Sequence, residues 1–138
     1  MVFKLKTRSL IGLTRSANCK TGAEATEKSK INQLIPGAQI DAYQFEPCGY
    51  SANAIMTGDY YWNIHVTPEK DFSYASFETN YPKENYEELL KQVIEIFKPD
   101  HINVTVMANK VSQNPMYRSI SIFNRNPLSV QTIFPLNL

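Results

Sequence analysis

The chain has 138 residues, 43% of them hydrophobic and 20% charged, with a formal net charge of +1. That is the composition of one globular domain, and it excludes a disordered, fibrous or strongly charged protein. The balanced charge gives no general pull toward nucleic acid or an anionic membrane, and no apolar run comes near the length of about 20 residues that spans a bilayer.

The first 23 residues hold five basic residues and no acidic one, a pattern shared by transit peptides and by plain loops. Residues 1–20 show no sustained period. Thr26 to Leu34 is expected as a short helix, with Thr26 as its N-cap and Pro36 and Gly37 as its stop. Ile40 to Phe45 reads as a strand, followed by the turn-rich segment from Glu46 to Tyr50. Ala52 to Met56 reads as the next strand and runs into a compact turn at Thr57 to Asp59. Tyr60 to Val66 alternates, with Tyr60, Trp62, Ile64 and Val66 on one face and Tyr61, Asn63 and His65 on the other. Phe72 to Thr79 is a third strand of this series, with Phe72, Tyr74, Ser76 and Glu78 on one side.

The clearest element is a helix from Tyr86 to Phe97. Tyr86, Leu89, Leu90, Val93, Ile94 and Phe97 form one apolar stripe at helical spacing. Asn85 is its expected N-cap, paired with Glu88, and Pro99 prevents continuation. Ile102 to Met107 alternates as a strand. The segment from Ser112 is rich in Asn, Ser and Pro, with short apolar stretches at Ile120–Phe123 and Val130–Phe134. Hairpins followed by a covering helix predict an α+β fold with an antiparallel sheet and helices on one face.

The Gly58 hairpin carries most of the chemical information. With Met56 opposite Tyr60, Ser51 falls opposite His65, close enough for hydroxyl and imidazole to meet. Pro68, next to Glu69, falls opposite Cys48. Cys48, Ser51, His65 and Glu69 are therefore expected to gather at one end of the sheet. Read singly, each has a structural role: a buried thiol, a turn serine, a hydrogen-bonded histidine, a solvated glutamate. Phe45 and Trp62 read as core aromatics. Cys48 as nucleophile with His65 as base would be the layout of a Cys-His hydrolase, although no signature of those families is present. Two cysteines exclude a disulfide scaffold and point to a reducing, cytoplasmic setting, and the two histidines, His65 and His101, have no metal-ligand spacing. No phosphate loop or basic-aromatic stripe is found, so neither a nucleic-acid partner nor a membrane is expected.

Four segments carry a resemblance. They are Leu34 to Ala42 (LIPGAQIDA), Phe45 to Asn53 (FEPCGYSAN), Tyr61 to Glu69 (YWNIHVTPE) and Asp71 to Asn80 (DFSYASFETN). Together they resemble the later part of the eukaryotic S-adenosylmethionine decarboxylase proenzyme, over residues 21–110. Residues 1–20 stand outside this match and are open to disorder, and the match weakens over 111–138. The resemblance implies one sheet and its helices from a four-layer αββα sandwich. It also implies a pyruvoyl cofactor, made by self-cleavage at a Glu-Ser bond, whose carbonyl forms a Schiff base with S-adenosylmethionine and takes up the electrons released with CO₂, in spermidine and spermine biosynthesis. Carried over residue by residue, Cys48 matches a proton donor, and Ser51 and His65 match residues of precursor processing. Phe45 matches an aromatic that stacks on adenine, Glu69 a carboxylate that binds the ribose hydroxyls, and Glu78 a position in a diamine-responsive charge network. No Glu-Ser dipeptide occurs in the chain. It therefore reads as a fragment or short form, inactive alone, that works with an N-terminal half. The alternative is a non-catalytic regulatory partner of a full-length decarboxylase.

Overall fold

The β-branched and aromatic segments pair into one sheet, and the computed structural model describes residues 2–7, 19–71, 73–83, 86–107 and 128–133 of it and its surroundings. The strands are β1 (Val2–Thr7), β2 (Gln39–Gln44), β3 (Tyr50–Met56), β4 (Tyr60–Thr67), β5 (Ser73–Thr79), β6 (His101–Met107) and β7 (Leu128–Ile133), with helices α1 (Gly22–Ser29) and α2 (Glu87–Phe97). The order across the sheet is β2-β3-β4-β5-β1-β6-β7. Every neighbouring pair is antiparallel except β6 with β7. The expected α+β class is the one observed, with that single parallel pair at the far edge. A parallel connection needs a crossover of about a dozen residues or more, and residues 108–127 supply that length.

One face of the sheet is apolar and buried. Ala52, Ile64 and Phe77 lie across β3, β4 and β5 in one row, and Tyr50, Val66 and Ala75 in the next. Against them pack Leu89, Leu90, Val93 and Phe97 of α2, Ala25 of α1, and Ile31, Leu34 and Ile35 of the segment that follows α1. Trp62 and Phe77 meet at 6.4 Å between ring centroids. The helical stripe of α2 is thus buried as its spacing predicts, and Lys98 closes the helix in a left-handed conformation, its N–H donating to Ile94 O. Asn85, the expected N-cap of α2, lies outside the described residues, as does Phe72. Tyr86 takes the N-cap position without a side-chain cap bond. Its hydroxyl donates to Tyr81 O instead.

The helix near residue 26 starts earlier than its sequence suggests. Thr21, not Thr26, is the N-cap: its hydroxyl accepts the Glu24 N–H, while the Glu24 carboxylate accepts the Lys20 N–H. This is a capping-box arrangement displaced by one residue. Thr26 is instead a buried mid-helix residue whose hydroxyl donates to Gly22 O and meets Tyr50 Oη at 2.6 Å. A 3-10 turn at Ile31–Gln33 finishes the segment that a single helix was expected to fill. The second surprise is β1. The segment read as lacking a period forms a central strand, paired on both sides. Ile120–Phe123 lies outside the described residues, whereas Val130 belongs to β7.

The other face of the sheet carries no helix among the described residues. Its rows are Tyr43–Ser51–His65–Ser76 and Asp41–Asn53–Asn63–Glu78, with Ile55 beside Tyr61.

Candidate functional site

The β3–β4 hairpin sets the site. Gly58 and Asp59 both take positive φ, 87° and 59°, and close the turn so that Met56 faces Tyr60. Alternation then carries the register down the ribbon to Ser51 and His65, as the sequence predicts. Ser51 Oγ lies 2.8 Å from His65 Nδ1. Both side chains stand on the helix-free face, His65 exposed and Ser51 half-buried. The underlying Tyr50 and Val66 are buried on the opposite face, so the ribbon is held from below and polar above.

One step further along, the chain turns between β2 and β3. The Glu46–Pro47 peptide is cis, and Gly49 has φ of +124°, a conformation in which a side chain is strained. Phe45 N–H donates to Gly49 O at 3.0 Å, which folds the turn back on itself. Cys48 is exposed, and its thiol faces Pro68 O at 3.9 Å. Pro68 is followed by Glu69, whose N–H donates to Ser73 Oγ at 3.4 Å and whose residue is exposed. The hairpin therefore brings Cys48 to the Pro68–Glu69 turn and Ser51 to His65. Among the described residues, the contact of the Cys48 thiol is with a carbonyl rather than with the imidazole. That weakens the Cys-His hydrolase layout, which needs a base beside the thiol.

Glu78 is half-buried on the same face, in register with Asn63. The Asn63 side-chain oxygen is buried without a hydrogen-bond partner among the described residues. Phe45 is half-exposed at 45% rather than a core residue, and its ring meets Tyr43 edge-on at 4.9 Å. Trp62 is the core aromatic, fully buried. Two neighbours of the Ser51–His65 pair were not singled out from sequence: Tyr43 and Ser76, which flank it in the same row. The tight Gly58 turn makes the β3–β4 register legible. The longer connection from Thr67 to Ser73 leaves more than one register open for β4 against β5, so Ser76 could not be placed.

Among the described residues no three of His, Cys, Asp and Glu come together as metal ligands, and no helix is long and apolar enough to cross a membrane.

A family model described as adenosylmethionine decarboxylase matches residues 2–131. The S-adenosylmethionine decarboxylase proenzyme of Drosophila melanogaster is 51% identical over 88 residues, which is 64% of this chain and 25% of that protein. The proenzyme of Xenopus laevis is 45% identical over 93 residues, 67% of this chain and 28% of that protein. The proenzyme of Saccharomyces cerevisiae is 37% identical over 131 residues, 84% of this chain and 33% of that protein. Among solved structures, the Trypanosoma brucei AdoMetDC-delta26 monomer superposes with a TM-score of 0.61 at 28% identity, covering 72% of this chain and 41% of that one. The fold and the matched residues define a decarboxylase-type α+β sheet. The chain belongs to the adenosylmethionine decarboxylase family. It spans between a quarter and a third of the length of these curated relatives.

Proposed function

We propose that these residues form the later part of a pyruvoyl-dependent decarboxylase that converts S-adenosylmethionine to its decarboxylated form for spermidine and spermine synthesis. The reading rests on one observation: Ser51 and His65 stand 2.8 Å apart on a face of the sheet that carries no helix among the described residues. With Nδ1 occupied by Ser51, His65 keeps its second ring nitrogen to take up a proton, the role of a base in processing a precursor. Phe45 supplies an exposed aromatic face for adenine, and Glu69 an exposed carboxylate for the ribose hydroxyls. Cys48 is the proton donor of this scheme, and Glu78 the residue through which a diamine acts. The half-buried Asn63 and Glu78 fit that second role, because both present acceptors to an ammonium group.

A pyruvoyl group, when present, supplies an electron-withdrawing carbonyl for decarboxylation. The side chains here fit such a group. Its carbonyl oxygens accept hydrogen bonds, and in the tautomer that leaves the second His65 nitrogen free as a base, Nδ1–H donates to Ser51 Oγ and the Ser51 hydroxyl keeps its proton to donate. No Glu-Ser dipeptide lies within the 138 residues, so the serine that becomes the group comes from polypeptide outside them. S-adenosylmethionine and an N-terminal half are thus the partners, in the cytoplasm.

The test is release of labelled CO₂ from carboxyl-labelled S-adenosylmethionine, with the chain alone and with a separately supplied N-terminal half. Turnover is expected only from the pair, and Ser51→Ala and His65→Ala should each block cleavage of the precursor half, seen as an unshifted band on a denaturing gel. No turnover and no cleavage with both halves present would overturn the reading. A regulatory partner of a full-length decarboxylase is the second reading. The uncovered face favours it, because exposed Tyr43, Ile55, Tyr61 and Tyr74 suit contact with another protein. Co-purification with a full-length decarboxylase, together with a change in its rate, would select it.

A further inference from the structure

We propose that Tyr43 is a positioning residue for the adenine end of the site, orienting Phe45 for stacking on a purine. The inference rests on the reading of Phe45 above and deepens it. Tyr43 is 64% exposed on the edge strand β2, so its ring adds little to the core. Its aromatic contact is with Phe45, at 4.9 Å between centroids and 68° between planes. Edge-to-face geometry of this kind lets the positive ring edge of one residue meet the negative face of the other, and it restrains the orientation of both. Phe45 is also tied at its backbone, where its N–H bonds Gly49 O. The turn holds Gly49 close to it, since a Cβ there would stand 3.4 Å from Phe45 Cβ, in ordinary contact. Backbone and ring are thus both restrained, on a residue that is otherwise half in solvent.

Preorganisation matters for a stacking residue because an ordered ring has less entropy to lose when the ligand arrives. Tyr43 also faces Ser51 across the β2–β3 ladder, and Ser51 contacts His65. A purine on Phe45 would therefore sit one row from the polar pair, and Tyr43 spans the gap between them.

The experiment is an NMR titration of the chain with adenosine, following the Phe45 ring resonances. It compares the wild type with Phe45→Ala, Tyr43→Leu and Tyr43→Phe, each also taken through thermal unfolding. Adenosine is expected to bind the wild type weakly and to lose measurable affinity in Phe45→Ala. Tyr43→Leu should weaken binding about two- to tenfold, the span set by ordering one otherwise free side chain when the ligand arrives. Tyr43→Phe should bind as the wild type does, and the unfolding midpoints of both Tyr43 variants should be unchanged. Wild-type affinity in Tyr43→Leu would overturn the inference while leaving Phe45 in place. So would a loss in Tyr43→Phe equal to that in Tyr43→Leu, or a lowered unfolding midpoint that accounts for the loss. No adenosine binding by the wild type, or unchanged binding by Phe45→Ala, would overturn the reading of Phe45 and the inference with it.

Discussion

A threonine hydroxyl has one proton to give. Thr26 gives it to Gly22 O at 2.8 Å, so across the 2.6 Å contact with Tyr50 the phenol must be the donor. Tyr50 is fully buried between Gly49 and Ser51, and its ring anchors the start of the strand that carries the site. Replacing Thr26 with Val keeps the shape and strands a buried phenol, which should cost about 1–3 kcal/mol in urea unfolding. Burial also raises the Tyr50 phenol above its ordinary 10.0, and Thr26 offsets part of this by turning its hydroxyl toward an ionised oxygen. The half-buried Tyr86 shifts the same way, burial again being the larger cause. Raised folded-state values have a definite sign. The stability they contribute is complete below pH 10.0 and is lost as pH rises through the folded values, because the unfolded chain releases its protons first. Unfolding midpoints measured from neutral pH upward should hold steady and then fall above that point, and Tyr50→Phe should flatten the fall. Gly22 makes an equally local claim. Helix propensity alone predicts that Gly22→Ala would stabilise by up to about 1 kcal/mol. A methyl group there would fall on the Ala42 carbonyl, which belongs to a paired strand and cannot yield cheaply. Net destabilisation of about 1–3 kcal/mol, the scale of overpacking, is the expected outcome in the same denaturant experiment.

Among the elements, α2 and the β3–β4 hairpin were the most legible in the sequence, for different reasons. The stripe of α2 repeats over three turns, so one misplaced residue cannot hide it. Its reach into the core makes Phe97→Ala a sharp probe, expected to cost about 3–5 kcal/mol by thermal or denaturant unfolding. The hairpin was legible because a tight turn leaves one register, and the register alone delivers Ser51 to His65. By contrast α1 buries Gly22, Ala25 and Thr26, two small residues and a polar one, which leave no apolar stripe to read. The sequence TGAE did carry its start signal, at Thr21 and Glu24, five residues before the threonine that the apolar pattern favoured. Phe45 was read as core by residue type. It is exposed because it continues the alternation of β2, whose Gln39, Asp41 and Tyr43 stand on the same exposed side.

For the molecule as a whole, the sheet is asymmetric. One face is filled by both helices, and the other presents hydroxyls, amides, carboxylates and aromatic rings. The alternation of β4 showed that two-sidedness in advance. The strand order was not legible, because it depends on β1. Val2 to Thr7 does alternate, Phe3 and Leu5 against Lys4 and Lys6, but six residues are too few to stand out from a basic loop. Yet β1 joins β5 to β6, so the β6–β7 pair reaches the rest of the sheet only through it. A proline at Lys4 would remove a backbone donor from this central strand and strand a partner carbonyl. Lys4→Pro is expected to be about 1–3 kcal/mol less stable than Lys4→Ala, with loss of amide protection in both β5 and β6 by hydrogen exchange.

The central place of β1 also has a temporal side. Its six residues leave the ribosome before either of the strands that flank it, and His101–Met107 follows only after some hundred peptide bonds have been made. At ordinary translation speeds of about 5–20 residues per second, the edge that β6 covers waits roughly 5–20 s, and the edge that β5 covers a shorter time. The nascent chain can assemble the β2-to-β5 meander meanwhile, so closure around β1 waits for β6, and a chaperone has that interval in which to intervene.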